Sequence, residues 1–193
     1  MRELSEVLDA GQVPVLRTDR LVLRPLTEWD GPAMFDLAQD PDLTRFLVWD
    51  PHRTVADAHA FISLSQQWVS SGVELAWAMT LAETGEFLGV VSLRPMPADN
   101  RAELGYWIGV PHQRHGYTTE AARRLVNFAF VELEVNRVAS MHYRDNSASG
   151  LVMQRAGLTY EATLRQHVLV RGVYHDCLIY GLLRAEWEQS RRT

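Results

Sequence analysis

The stretch "QRHGYTTEA", residues 113–121, combines backbone freedom, hydroxyl groups and positive charge just before a long amphipathic run. Arg114 and His115 supply the charge, and Gly116 lets the chain turn closely. The N-terminus of a helix presents unpaired N–H groups and the positive end of the helix dipole. Because phosphate groups bind at such ends, the stretch predicts an anion site.

The spacing within this stretch excludes two common phosphate-binding motifs. It lacks the lysine and the G-x-x-x-x-G-K-[ST] spacing of a P-loop, and it lacks the G-x-G-x-x-G of a dinucleotide fingerprint. The N–H groups from Gly116 to Thr119 can still point at the oxygens of a pyrophosphate. A plainer interpretation also stays open, in which Gly116 ends a loop and Thr118 or Thr119 caps a helix.

Strands and helices alternate around this stretch. Residues 20–26 alternate apolar and polar side chains like a strand, and 74–96 predicts two strands joined at "ETGE". Capping-box spacings open two helices near Thr27 and Thr54. The remaining elements are a strand at 101–110, a helix of about four turns from Thr118, a strand at 137–143, a short helix after Asn146 and a final hairpin turning at Arg171–Gly172.

This order predicts a single α/β domain over residues 15–187. Its sheet is expected to be mixed, mostly antiparallel and twisted, with about seven strands flanked by about four helices. Residues 1–14 are interpreted as a loosely held N-terminal arm, and 188–193 as a C-terminal tail.

Composition narrows the function classes. The 193 residues are 47% hydrophobic and 22% charged, with a net charge of −5 and no basic stripe, which argues against a nucleic-acid partner. No apolar run approaches membrane-spanning length, and the acidic first fourteen residues are unlike a signal peptide, so we predict a cytoplasmic protein. Cys177 is the single cysteine, and the seven histidines lack metal-ligand spacing, so neither a disulfide nor a metal site is predicted.

Four segments occur in a family-specific order: "LRTDRLVLRPLTEWD", "ELGYWIGVPHQRHGYTTEA", "NSASGLVMQRAGL" and "YEATLRQHVLVRGVYHDCLIYGLL". Together they resemble the GNAT superfamily of acyl-CoA-dependent N-acyltransferases, and most closely its ribosomal-protein N-terminal acetyltransferase (Rim-type) branch. The resemblance implies a single GNAT-like domain that transfers an acetyl group from acetyl-CoA to a primary amine, by direct attack in a ternary complex. The acceptor is a protein or peptide N-terminus or a small amine, and the chain is a monomer or a homodimer.

The resemblance also implies where the coenzyme lies. Gln113, Gly116 and Thr118 occupy the positions of the Q/R-x-x-G-x-G/A loop that holds the coenzyme A pyrophosphate. Arg114 and Thr118 depart from the small residues usual there. The coenzyme-binding residues implied are Ile108, Gly109, Val110, Arg114, His115, Gly116, Tyr117, Thr118, Thr119 and Asn146.

The strand before this loop is expected to line the acyl group. Alternation directs Glu103, Gly105, Trp107 and Gly109 to one face, and Ala102, Leu104, Tyr106, Ile108 and Val110 to the other. Glycines in a strand favour a close approach by a ligand, which by resemblance is the pantetheine arm, with a backbone N–H near 108–110 serving the oxyanion. A β-bulge would explain the glycines equally well.

Candidate bases follow from the need for a neutral amine. Glu103 is the first, acting directly or through a water, and its plain alternative is a surface or ion-paired glutamate. His167 is a rival base, and His142 is a weaker one that could equally be packed within its strand.

A proton or hydrogen-bond donor to the leaving thiolate is implied by the "N-x-x-S" pair. Asn146 matches the family asparagine that contacts the coenzyme, and Ser149 matches the serine of the Rim-type branch. Met153 stands where many family members carry a tyrosine acid, and methionine has no proton to donate. Both polar residues could also serve only as helix-cap residues.

The final hairpin is expected to shape the acceptor end of the site. Arg165 and Asp176 are predicted to form a cross-strand ion pair. Trp49, Trp68 and Trp77 line that end or belong to the core. Two other functions stay open from the sequence: an acyl-CoA-binding sensor without catalysis, and transfer of a larger acyl group such as succinyl.

Overall fold

The computed structural model describes residues 1–192, which form one mixed sheet with helices on both faces. The strands are β1 (Leu16–Arg17), β2 (Leu21–Arg24), β3 (Leu75–Leu81), β4 (Phe87–Met96), β5 (Arg101–Ile108), β6 (Arg137–Tyr143), β7 (Thr159–Val170) and β8 (Val173–Leu183). Their order in the sheet is β1-β2-β3-β4-β5-β6-β8-β7. Among these strands of residues 1–192, β5 and β6 are the one parallel pair. The predicted α/β class is confirmed, with eight strands rather than about seven because the short β1 pairs with β2.

The helices follow their sequence signals. They are α1 (Gly31–Ala38), α2 (Pro41–Thr44), α3 (Val55–Ser71), α4 (Tyr117–Val131), α5 (Ser147–Arg155) and α6 (Arg184–Ser190). Both predicted capping boxes are present, Thr27 with Asp30 before α1 and Thr54 with Asp57 at the start of α3. The one-turn α2 and the terminal α6 are the helices that the sequence reading missed, and α6 crosses the predicted boundary at 188.

Two apolar cores separate the helices. One core joins α4 and α5 to the sheet through buried residues such as Leu104, Leu125 and Met153, and we call this side the α4 face. The other joins α1 and α3 to the sheet through residues such as Ile62 and Trp107, and we call it the α3 face. The strand β5 therefore presents opposite side chains to two separate cores.

The first fourteen residues pack against the domain, although the sequence predicts a loose arm. Val13 is 2% exposed, and the Arg2 N–H donates to the Leu133 carbonyl at 2.9 Å. The Trp77 indole donates to the Pro14 carbonyl at 2.8 Å, so this tryptophan belongs to the core and not to the acceptor end. Apolar side chains of residues 1–14 pack against the core and hold the arm to the domain. The acidic residues between them led the sequence analysis to predict a loose arm. Across residues 1–192, no helix is long and apolar enough to cross a membrane.

The sheet opens between its two parallel strands. The β5–β6 ladder consists of three residue pairs and ends at Glu103 opposite Ala139. Beyond that point β5 continues to Ile108, still paired with β4 on its other side. Ser140 bridges the start of the opening by donating its hydroxyl to the Leu104 carbonyl at 2.8 Å. We call this opening the β5–β6 gap.

Candidate active site

One edge of β5 is not paired with β6 in the β5–β6 gap. The Gly109 N–H donates to the Leu88 carbonyl on the β4 side, at 2.9 Å. Because successive residues of a strand point their N–H groups to opposite sides, the N–H groups of Tyr106 and Ile108 point into the gap.

The register between β4 and β5 is continuous, so no β-bulge accounts for Gly105. The predicted approach of a ligand to the two glycines is wrong as well, because protein side chains occupy that space. A Cβ on Gly105 would meet Ser92 Oγ at 2.7 Å, and one on Gly109 would meet the Leu37 side chain at 2.6 Å.

The predicted alternation of side chains between the two faces of the sheet is confirmed along β5, up to its last residue, Ile108. Leu104, Tyr106 and Ile108 pack on the α4 face, and Trp107 packs on the α3 face. Val110 is the exception, since it lies in a 3-10 turn and packs on the α3 face. The alternation of a strand no longer applies once the backbone turns.

The loop before α4 forms a row of unpaired N–H groups. Arg114 has φ 65° and Gly116 has φ 82°, so the chain turns twice through the left-handed region before the helix begins. In the described part of the chain, none of the N–H groups of residues 114–119 donates to a protein acceptor. Neither Thr118 nor Thr119 caps the helix, whose N-cap is Gly116 with no side-chain bond. A row of unpaired N–H groups at a helix N-terminus has the geometry that suits an anion, as the sequence predicts.

Arg20, in the turn between β1 and β2, and Glu120, on α4, hold this loop in place. The Glu120 carboxylate accepts hydrogen bonds from Thr18 Oγ1 at 2.6 Å and from Arg20 Nε at 2.7 Å. Arg20 also donates to the His115 carbonyl at 3.0 Å and lies over the Tyr117 ring, 4.7 Å from its centre. Burial raises the pKa of Glu120, but the bonds from Thr18 and Arg20 outweigh it and leave that pKa below its ordinary value.

Ser149 lies across the gap from the loop and is bonded to a residue of β5. Its Oγ is 2.9 Å from the Tyr106 hydroxyl, which also donates to the Ser149 carbonyl at 2.9 Å. Asn146 is the N-cap of α5, and its Oδ1 accepts the Ser149 N–H at 3.3 Å. Met153 is buried in the core. A hydroxyl pair therefore stands on the α4 face of the gap.

Glu103 stands at the closed end of the gap, on the opposite face. It is the last β5 residue paired with β6, and its side chain is 38% exposed. Its Oε1 accepts a hydrogen bond from Arg101 Nη1 at 2.9 Å. The predicted ion-paired alternative is thus present, but water still reaches the carboxylate, so the pair leaves room for proton transfer.

The two rival bases lie elsewhere. His142 is buried on the α4 face, where its Nδ1 bonds to the Tyr143 carbonyl at 2.8 Å. His167 is exposed on the edge strand β7, which β8 and β6 separate from β5. Neither ring shares the face of Glu103 at the end of the gap. Within residues 1–192, no group of three or more His, Cys, Asp or Glu side chains could hold a metal ion.

The segment 44–50 and the tip of the β7–β8 hairpin meet beside β5, in the part of the fold where the sequence predicts the acceptor. Trp49 meets Trp107 edge to face, 6.0 Å between ring centres. Arg171, at the hairpin turn, donates to the Trp49 carbonyl at 2.6 Å and to Asp50 Oδ1 at 2.7 Å. This arginine joins the segment 44–50 to the hairpin tip, and we call these the two walls. Trp68 lies on α3.

The predicted ion pair between Arg165 and Asp176 is wrong. Asp176 pairs instead with Arg144 at 3.1 Å and accepts the Gln166 N–H at 2.9 Å. The strand register shifts between Leu164 and Val168, which displaces Arg165 from the position directly opposite. Strand alternation cannot anticipate such a shift.

The family is decided by comparison with known domains. A model of the acetyltransferase (GNAT) domain matches residues 20–159. The chain belongs to the GNAT acetyltransferase family. This confirms the resemblance stated from the four sequence segments, and it makes the protein an N-acetyltransferase of GNAT type.

Individual relatives agree in class and in fold. The uncharacterized N-acetyltransferase YoaA of Bacillus subtilis is 27% identical over 172 residues, 89% of this chain and 97% of YoaA. YdaF of the same organism, provisionally assigned as a ribosomal N-acetyltransferase, is 41% identical over 108 residues, 55% of this chain and 59% of YdaF. The structure of RimL, a ribosomal L7/L12 alpha-N-protein acetyltransferase in complex with coenzyme A, superposes with a TM-score of 0.80 at 22% identity, over 88% of this chain and 98% of RimL.

Several residues of this GNAT site escape a reading of the sequence. Tyr106 is assigned there only to a face of β5, yet its hydroxyl contacts Ser149. Arg20 is distant in sequence from the loop that it holds, and Arg171 resembles an ordinary turn residue. For Arg20 the sequence offers one signal, the "TDR" of the first GNAT segment, which places Thr18 and Arg20, both partners of Glu120, close together.

Valine at Gly116 is expected to lower coenzyme A affinity at least about tenfold. A Cβ at this position would meet only Arg20 Nη2, at 3.5 Å, so the effect comes from the backbone and not from a clash. A β-branched residue disfavours φ 82°, and its relaxation rotates the neighbouring N–H groups away from the ligand. Calorimetric titration of Gly116→Val with coenzyme A measures the loss.

The matched control is Gly85→Val in the β3–β4 turn. Gly85 has φ 76° and no atom within 4 Å of its ideal Cβ, so it carries the same backbone strain away from the loop. We expect this control to be destabilised but to keep its affinity. A folded Gly116→Val protein that binds coenzyme A like the parent would contradict the anion site.

Proposed function

We propose that this GNAT protein transfers the acetyl group of acetyl-CoA to a primary amine by direct attack in a ternary complex. The observation that carries the proposal is the spatial arrangement of polar groups around the β5–β6 gap. The free N–H row of residues 114–119 stands at its mouth, and Glu103 and Ser149 stand on its two faces. Acetyl-CoA is the cosubstrate that fits an anion site leading into a narrow opening between strands.

The proposed donor position follows from charge and shape. The pyrophosphate of acetyl-CoA would accept hydrogen bonds from the loop N–H row, supported by the helix dipole and by the positive charge of Arg114. The pantetheine arm would then run along the free edge of β5. The thioester carbonyl would lie near the N–H groups of Tyr106 and Ile108, which can stabilise its oxygen as negative charge develops.

The reaction itself needs little covalent help from the protein. The neutral amine attacks the thioester carbon, the C–N bond forms, and the C–S bond breaks as the tetrahedral intermediate collapses. Glu103 would take the proton of the attacking nitrogen, directly or through a water. Ser149 would donate a hydrogen bond to the departing thiolate from the other face. This division places the base on the amine side of the gap and the donor on the sulfur side.

A protein or peptide N-terminus is the acceptor class that we favour. YdaF and RimL carry names that refer to ribosomal substrates, and this chain resembles both. The half-buried Trp49 ring, which packs on the buried Trp107, offers an apolar surface that suits an extended acceptor with apolar side chains near its amine.

The experiment is thiol release from acetyl-CoA with a panel of amines, including peptides with free and blocked N-termini. We expect release that requires the free α-amine and yields the acetylated peptide by mass. Coenzyme binding without turnover on any amine would instead support a sensor, and faster reaction with succinyl-CoA would support a larger acyl group.

Arg171→Ala is expected to raise the KM for the amine about tenfold while leaving the KM for acetyl-CoA near its original value. The arginine holds the segment 44–50 against the hairpin through Asp50 and the Trp49 carbonyl, and charge-assisted bonds of this kind are worth about 1.5–3 kcal/mol each before solvent screening. Steady-state kinetics with each substrate varied in turn measure the two constants.

Arg165→Ala is the control for loss of a positive charge from the same hairpin, since it removes an exposed arginine outside this contact. An amine KM that rises equally in both variants would assign the effect to charge. An unchanged amine KM in Arg171→Ala would show that the two walls do not need this arginine.

A further inference from the structure

The Tyr106 hydroxyl has no role in the proposed reaction as described above, where only its backbone N–H takes part. It is 2.9 Å from the Ser149 carbonyl and 2.9 Å from Ser149 Oγ. A tyrosine hydroxyl has a single proton, and a carbonyl oxygen can only accept. When Tyr106 donates to the carbonyl, the Ser149 hydroxyl must therefore donate to the Tyr106 oxygen.

This arrangement turns the Ser149 proton away from a departing sulfur. For Ser149 to donate to a thiolate, its O–H must rotate, and the Tyr106 oxygen then loses the bond it was accepting. Tyr106 can compensate by moving its own donated bond from the Ser149 carbonyl to Ser149 Oγ. Both hydroxyls keep their protons throughout, so the change is a rotation and not a proton transfer.

The surroundings favour Tyr106 in this role. Burial raises the pKa of the Tyr106 hydroxyl, and the bond with Ser149 lowers it only in part, so the group stays protonated. The Asn146 side chain is already bonded to the Ser149 N–H. In the described part of the chain, Tyr106 is the one side chain hydrogen-bonded to Ser149 Oγ.

We propose that Tyr106 is a positioning residue that sets the direction of the Ser149 hydroxyl and strengthens it as a donor when sulfur leaves. The inference rests on the proposed role of Ser149 and adds a second residue to it. A hydroxyl that receives one hydrogen bond donates a stronger one, so the Tyr106–Ser149 pair should stabilise the thiolate better than serine alone.

The test compares Tyr106→Phe, Ser149→Ala and the double variant. Tyr106→Phe is expected to lower kcat about three- to tenfold, the effect of a neutral hydrogen bond, while the KM for acetyl-CoA changes little. In the Ser149→Ala background the same substitution should cause no further loss, because the two residues act as one unit. Acetyl thioesters of more acidic thiols should shrink the Tyr106→Phe defect, since their thiolates need less help.

Controls keep the outcome interpretable. Tyr180→Phe removes another buried tyrosine hydroxyl that contacts α5, through Gln154, and should leave kcat unchanged. If Tyr106→Phe does not fold, Tyr106→Gln and Tyr106→Leu replace it. Glutamine and leucine are similar in size, but only glutamine has an N–H that can donate a hydrogen bond. The Tyr106→Gln variant should therefore have a higher kcat than the Tyr106→Leu variant.

The kinetics of the single variants distinguish loss of the Tyr106 role from loss of the proposed function. Full turnover in Ser149→Ala would remove the proposed thiolate donor itself. A defective Ser149→Ala combined with a normal Tyr106→Phe, or with losses that multiply in the double variant, would overturn the role of Tyr106 alone. Equal rates of the glutamine and leucine variants would overturn it as well.

Discussion

Glu103→Gln is expected to lower kcat about a hundredfold at neutral pH, the low end of what a general base contributes. The defect should shrink as the pH rises, because free amine and hydroxide become plentiful and the protein base matters less. Glutamine keeps the size and the hydrogen-bond acceptor that faces Arg101, so the fold and the strand pairing are preserved. Rates from mildly acidic to alkaline pH, at saturating acetyl-CoA, provide the measurement.

Glu161→Gln is a closely matched control. Glu161 is also a strand glutamate paired with an arginine, Arg137, and its side chain has the same 38% exposure as that of Glu103. It lies on β7, beyond β6 and β8. We expect its pH profile to match the parent protein. A Glu103→Gln defect that stays constant over the whole pH range would argue for a structural role, and no defect would mean that water alone serves as base.

Ser149→Ala is expected to lower kcat roughly ten- to a hundredfold with a much smaller change in acetyl-CoA affinity. A hydrogen bond to a charged group is worth about 1.5–3 kcal/mol, which gives this range of rates. The bond strengthens only as charge develops on sulfur, so the ground state loses little. The helix α5 should survive, because its cap bond uses Asn146 and the backbone of residue 149, not its hydroxyl.

Steady-state kinetics and a separate measurement of coenzyme affinity test this expectation. Ser147→Ala is the control, since Ser147 is exposed on the same turn of α5 and its substitution should leave both quantities unchanged. If Ser149→Ala loses affinity but keeps its turnover, Ser149 binds the coenzyme and the thiolate donor lies elsewhere.

Local sequence signals predicted most of the architecture. The capping boxes near Thr27 and Thr54 and the Arg171–Gly172 turn are all present, because each depends on a few adjacent residues. The elements that were missed are short or terminal. The one-turn α2 has no room for a periodic pattern, and α6 follows β8 without a break.

The candidate site was predictable where it is contiguous in sequence and hidden where it is assembled in space. The loop around Gly116 was visible as one motif. The contacts of Tyr106 with Ser149 and of Arg20 with Glu120 join residues 43 and 100 positions apart, and no local pattern encodes them. Even within a hairpin, sequence does not fix the partner of a side chain. A shift of register between β7 and β8 leaves Asp176 paired with Arg144 and not with Arg165.

The short parallel ladder between β5 and β6 divides the sheet into two hydrogen-bonded blocks, β1–β5 and β6–β8, joined through three residue pairs. A donor whose amides bonded to the free edges of the gap would act as a substitute strand at this junction. Binding of the donor in the gap and pairing of the two blocks would then be linked equilibria, since a ligand that binds only the folded state stabilises it by mass action. The cellular level of the acyl donor would thereby set how firmly the two blocks of the sheet are held together.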